Sequence, residues 1–155
     1  MARFAQTVES SAAIGSGVTF ANLVANTAAG FKLRKIRLGL IYNTTTPNSQ
    51  QITIGVYRAT ARGTATNFKT GIQNDPNSPV SAITGLDTQW SVNPTLALTN
   101  LMQITFNSLA GYEIPLEGID ELVCSLGTAN GLAFVNMDNA IPSGHKLVLE
   151  VIWEE

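Results

Sequence analysis

Apolar and polar side chains alternate with a period of two through most of the chain, the signature of strands with one buried face. In FKLRKIRLGLIY the apolar positions are Phe31 and Leu33, then Ile36, Leu38, Leu40 and Tyr42. The apolar face changes phase around Arg34 and Lys35, which predicts a β-bulge there. QITIGVYRAT puts Ile52, Ile54 and Val56 on one face, and the polar, Pro-containing NTTTPNSQ between these two segments predicts that they form a hairpin. TGIQNDPNSPVSAITGLD crowds two prolines and two glycines among Asn, Asp and Ser, which forbids a regular helix and predicts a long surface connection. TQWSV and NLMQITF (Met102, Ile104 and Phe106 in phase) follow as strands, and then comes a short GYEIPL segment. ELVCSL and GLAFVNM, separated by the turn-forming GTAN, predict a second hairpin. In the last segment, HKLVLEVIWEE, Leu147, Leu149, Val151 and Trp153 share one face, while Val148 and Ile152 flank Glu150 on the other. A strand apolar on both sides is either sandwiched inside the domain or covered by another subunit, so Val148 and Ile152 are candidate interface residues. Eight to ten strands, with helical hints only in TFANLVANTAA and EGIDEL, predict an all-β fold: residues 1–155 as a single-domain antiparallel β-sandwich or jelly roll.

Composition adds a constraint on the surface. Charged residues are only 13% of the 155 and hydrophobic residues 45%, so Thr, Asn, Ser, Ala and Gly must cover much of the outside. No apolar run approaches the ~20 residues needed to cross a bilayer, and the first residues lack the compact apolar stretch of a secretion signal, so the expectation is a protein that is neither exported nor in a membrane. A single cysteine, Cys124, excludes an internal disulfide framework. The charges are unevenly placed: residues 1–69 hold eight of the nine Lys and Arg against Glu9 alone, and residues 70–155 hold ten acids against Lys146 alone. Either the two halves are neighbouring strands that neutralise each other within one chain, or the charge is complementary to another copy or a partner.

Candidate chemistry is sparse. His145, the one histidine, stands in PSGHK and reads as an exposed turn residue, with nothing marking a nucleophile that would use it as a base. Cys124 alternates in phase with Leu122 and Leu126 and reads as a small core hydrophobe. One His and one Cys leave no basis for a zinc site, and no cofactor or catalytic set is implied. Glu117, Asp120 and Glu121 in LEGIDEL could serve as a glycosidase pair or calcium ligands, but without either signature they read as a solvated acidic turn. Asp75 and Asp138 read as turn formers. The glycine strings GSG and GTANG lack the lysine and the strand-to-helix setting of a phosphate loop. The basic run KLRKIR is the best nucleic-acid signal, but plain alternation puts Lys32 and Arg34 on one face and Lys35 and Arg37 on the other, with no aromatic platform between them, which argues against a nucleic-acid partner. Asn43-Thr44-Thr45 matches the glycosylation acceptor pattern and, without an export signal, reads as a turn.

Taken in order, ARFAQTV, KIRLGLIYNTTTP, ITIGVYRATARGTAT, the DPNSP loop, TQWSVNPTL and the closing LEVIWEE resemble the small all-β virion structural proteins of tailed bacteriophages, including head decoration, or cement, proteins. The resemblance covers most of the chain and its motifs are structural. It implies a non-enzymatic protein made in the host cytoplasm. It also implies that the protein binds the outside of the capsid, commonly as a homotrimer, and reinforces contacts between major capsid subunits. The contact candidates are then Lys32, Arg34, Lys35 and Arg37, and the loop Asn74, Asp75, Pro76, Asn77, Ser78 and Pro79. Two other readings stay open: a tail, fibre or carbohydrate-binding module that recognises a host surface, and a hydrolase using Glu117, Asp120 or Glu121.

Overall fold

The computed structural model describes residues 1–11, 14–42, 48–118 and 121–155. Twelve strands are described: β1 (Arg3–Glu9), β2 (Val18–Val24), β3 (Phe31–Tyr42), β4 (Gln51–Ala61), β5 (Thr64–Lys69), β6 (Ile72–Gln73), β7 (Gly85–Val92), β8 (Thr95–Asn107), β9 (Tyr112–Pro115), β10 (Leu122–Cys124), β11 (Gly131–Asn136) and β12 (His145–Glu154). They form two antiparallel sheets. Sheet A runs β10-β3-β12-β1-β6, with β9 also on β3, and sheet B runs β5-β7-β2-β11-β4-β8. The chain is thus all-β, a two-sheet sandwich.

The inner faces make one hydrophobic core. Sheet A contributes Phe4 and Val8, Phe31, Leu33, Ile36 and Leu38, and Leu147, Leu149, Val151 and Trp153, all buried. Trp153 stacks on Phe4, its register partner, at 5.8 Å between ring centroids. Gly71 lies against the Trp153 indole where a Cβ would collide with the ring, so glycine is what lets β6 close over it. Sheet B contributes the row Leu86, Leu23 and Leu132 across β7, β2 and β11, together with Ile52, Ile54 and Val56 of β4. At the end of that row Arg58 reaches across to sheet A and donates to the Val123 carbonyl.

Strands β4 and β5 pair along their length with β8 and β7, so residues 51–69 and 85–107 form one long two-stranded ribbon. One end of the ribbon lies beside β11 and the other beside β2, in the same sheet. Register shifts gather between Val56 and Ala61 and between Thr64 and Phe68, where the ribbon bends. Tyr57, Ala133, Asn22 and Asp87 form a row across β4, β11, β2 and β7 on the outer side of sheet B. Arg62, five residues past Tyr57, is nevertheless bonded to Asp87, through Nε to Oδ2 and Nη2 to Oδ1, both at 2.7 Å. With about 4.8 Å between neighbouring strands, a flat sheet would hold Arg62 too far from a carboxylate three strands away. The ribbon therefore arches over β2 and β11. That cover explains why all six residues of β11, and Asn22 on β2, are buried.

Several expectations need correction. β3 and β4 lie in different sheets, and so do β10 and β11, so neither predicted hairpin forms. Both connections cross from one layer to the other, and turn chemistry does not report which a turn will do. TFANLV is strand β2, not helix: covered on both faces, it carries an apolar run in place of clean alternation. His145 is buried, not exposed. Its ring meets Tyr42 edge-on at 5.2 Å and its Nδ1 lies 3.1 Å from the Ser143 carbonyl. The Asn43-Thr44-Thr45 turn lies outside the described residues, as do Asp120 and part of the EGIDEL segment.

Candidate functional site

The bulge in β3 decides where its cations point. Ile152 pairs with Lys35 and Trp153 with Leu33, so Arg34 is the extra residue. Phe31 and Leu33 before it and Ile36 and Leu38 after it all face the core. Lys32, Arg34, Lys35 and Arg37 consequently share the outer face of sheet A. The expected split between two faces is wrong because it ignores the phase change that the bulge makes.

Each of the four cations on that face has a carboxylate partner. Lys32 meets Glu121 at 3.2 Å, and Arg34 bridges Glu121 and Glu154. Lys35 meets Glu113 at 2.9 Å, and Arg37 spans Glu113 and, at 2.8 Å, Glu150. Arg3 adds a second contact to Glu154 at 3.3 Å. Hydrogen bonds from Arg34, and more weakly from Arg3, hold the Glu154 carboxyl below its ordinary range. Those from Arg34 and Lys32 do the same for Glu121, and those from Lys35 and Arg37 for Glu113. Bonds to Glu154 and Glu121 raise the Arg34 guanidinium further. The basic N-terminal half and the acidic C-terminal half thus neutralise each other across neighbouring strands. Cations already bonded to carboxylates would have to give those bonds up to take phosphates.

Val148 and Ile152 lie on this same face, half-buried. Ile152 sits between Ala5 of β1 and Lys35 of β3, and Ile72 continues the row beyond Ala5. Val148 pairs with Gly39, above which a Cβ would meet open space. The second apolar face of β12 is therefore turned outward, screened by long charged neighbours rather than packed in the core.

The Asn74–Pro79 loop lies at another place, beside the paired first and last strands. Asp75 shapes it: its carboxylate accepts from the Asn77 amide at 2.9 Å and its carbonyl from Ser78 at 3.0 Å, as its turn-forming role requires. Asn77, Ser78 and Pro79 border an open cleft of about 580 Å³ with Phe4, Val80 and Glu155. Glu155 accepts from the Ser81 hydroxyl, the Ala82 amide and the Trp153 indole, which fixes the far side of that loop to β12.

A further surface carries no charge at all. From Thr88 through Tyr112 there is not one Asp, Glu, Lys or Arg. These residues make the second half of β7, the turn to β8, all of β8 and the approach to β9. Leu98 is fully exposed, Val92, Leu101 and Leu109 are exposed, and among the described residues β8 pairs only with β4, leaving its other edge unpaired. Such edges in natural sheets are usually guarded by a lysine or other charge. The signal was readable in the sequence as a charge gap of 25 residues, but alternation draws attention to strands and not to what their outer faces lack.

Compared with family models, curated proteins and solved structures, the chain matches none of them. Its chemistry must be read from its own residues. Cys124 is buried, and desolvation pushes its thiol up to about 11, so it packs as expected for a core residue. Leu126, expected in phase with it, lies beyond the end of β10 and is exposed. Glu121 is engaged by Arg34 and Lys32, and Glu117 is exposed. Among the described residues, no three His, Cys, Asp or Glu side chains come together as a metal site, and no helix is long and apolar enough to span a membrane.

Proposed function

We propose that this chain is a non-catalytic structural protein of the virion, a decoration protein that binds the outside of a tailed-phage capsid and bridges its major capsid subunits. The observation that carries this reading is the uncharged ribbon surface from Thr88 to Tyr112, with Leu98, Val92 and Leu101 exposed on it. A surface of Thr, Asn, Gln and aliphatic side chains is dehydrated on contact at low cost and gains from the apolar area covered. The order of segments resembling small phage virion proteins points the same way. So does the self-neutralised outer face of sheet A, which leaves the ribbon as the surface for a partner.

Decoration stabilises by mass action: a protein that binds the assembled shell and not its dissociated subunits shifts the balance toward assembly. Many copies on one particle, joined as trimers, need only modest affinity each, because attachment at one point raises the local concentration at the next.

The test is to incubate the protein with shells of the major capsid protein from the phage that carries its gene, then to sediment and image them by electron cryomicroscopy. Density of this two-sheet shape on the outer surface is expected. Binding should persist at about 0.5 M salt, where exposed charge pairs are screened. A particle with no such density anywhere rejects the proposal. Density on a tail or fibre would move the protein to the host-recognition reading.

A further inference from the structure

Three hydrogen-bond donors converge on the sulfur of Met137. The Tyr57 hydroxyl lies 3.8 Å from Sδ, the Asn100 amide nitrogen 3.9 Å and the Gln103 amide nitrogen 3.5 Å. They come from two strands, β4 and β8, and meet a residue in the turn that follows β11. The sulfur has a seat made for it. A Cβ on Gly55 would stand 2.5 Å from Sδ, so the thioether occupies the space that glycine leaves open. The Met137 backbone is held on both sides, its amide donating to Thr53 at 2.9 Å and its carbonyl accepting from Ser16 at 3.2 Å. The residue is partly exposed to solvent.

This arrangement is mismatched for a thioether, which is a weak acceptor given three competent donors. It suits a sulfoxide, whose oxygen is a strong acceptor and would project from the sulfur among donors already in place. Oxidation of a methionine ordinarily disrupts its surroundings because it turns an apolar side chain polar. Here the surroundings are polar in advance.

We propose that Met137 is a site of oxidation by hydrogen peroxide and that its sulfoxide is accommodated by Tyr57, Asn100 and Gln103 without loss of the fold. The sulfur lone pair attacks one peroxide oxygen, an S–O bond forms and the O–O bond breaks. The departing oxygen leaves as water with both protons, so the sulfur is oxidised by two electrons and the peroxide reduced by two. The new oxygen then ties the turn after β11 to the ribbon through stronger hydrogen bonds than the sulfur makes.

The experiment treats the full chain with dilute peroxide and follows Met1, Met102 and Met137 by peptide mass spectrometry, with thermal unfolding of the oxidised product. Met1, 85% exposed, is the internal measure of oxidant reach. Met137 should convert, and the oxidised protein should unfold at the same or a higher temperature. In Tyr57→Phe and in Gln103→Leu, made separately so that a folding failure in one leaves the other, the same conversion should lower the unfolding temperature. Met137→Leu should remove the difference between oxidised and untreated protein. The proposal is overturned if Met137 stays reduced while Met1 is fully converted. It is equally overturned if oxidation lowers the unfolding temperature of the unsubstituted chain as much as that of the variants.

Discussion

On the outer face of sheet A each cation of β3 is bonded to a carboxylate, whereas the second half of β7 and all of β8 in the ribbon of sheet B carry no charge. The ribbon does have an ion pair, but it lies underneath: Asp87 is wholly buried and Arg62 reaches it from the bend. Charge on the two sheets therefore has different work. On sheet A it lies beside the apolar flanks of β12 and pairs off within the face. Under the ribbon it holds an arch closed, and the part of the ribbon made by the second half of β7 and by β8 is left without charge. A charge-poor protein can thus concentrate its ion pairs on one sheet and leave a long segment of the other uncharged.

The strongest way to break this contrast is Arg62→Ala. It leaves the Asp87 carboxylate buried without its partner, and removing one member of a buried pair costs about 3 kcal/mol or more. Urea unfolding should show that loss, and a value no larger than that of a sheet A substitution would mean the arch is not held by this pair. Next is Asn22→Leu. The Asn22 amide is buried between Ala133 and Asp87, with neither polar atom bonded among the described residues. An apolar side chain of similar size should raise stability by about 1 kcal/mol. A fall instead would assign the amide a partner such as bound water.

Acid should act on the outer face of sheet A. Glu113, Glu121 and Glu154 all have carboxyl pKa values depressed by their Arg and Lys partners. Their contribution is therefore complete above the unfolded-state value of about 4.3 and is lost as pH falls through the lower folded-state values. Unfolding midpoints followed downward from neutral pH should drop in that window, and added salt should flatten the drop because these pairs are near the surface. A midpoint that declines already near neutral pH would point to some other group. The smallest effect on stability is expected for Leu98→Glu, since Leu98 touches nothing that it helps to bury. The variant should unfold like the parent but lose capsid binding in sedimentation. Unchanged binding would remove the ribbon from the interface.

Much of the sandwich was legible in the chain because each inner face keeps its phase. Leu147, Leu149, Val151 and Trp153 announce β12, and the switch from Leu33 to Ile36 announces the bulge. What escaped depends on contacts made far along the sequence. Val24 and Ala21 read as a helical run because the ribbon that buries the outer side of β2 is built from residues 51–69 and 85–107. His145 follows a Pro-Ser-Gly turn, and only its pairing with Tyr42 on β3 takes it out of solvent. The basic run was visible, but its neutralisation was not, since its partners Glu113, Glu121, Glu150 and Glu154 lie dozens of residues downstream. The donors around Met137 are likewise scattered over Tyr57, Asn100 and Gln103, with no local motif to join them.

The position of β12 in sheet A bears on how the protein is made. It is the last of the twelve strands to leave the ribosome, yet it lies in the middle of its sheet, with β1 on one side and β3 on the other. Until it emerges, β1 and β3 have no common neighbour, and sheet A stays in two pieces. Strands β2, β4, β5, β7, β8 and β11 are all available earlier, so sheet B can assemble during synthesis while half of the core waits. A nascent chain stalled before His145 should therefore hold a folded ribbon above an incomplete second layer, and the arrival of β12 becomes the step that joins β1 to β3.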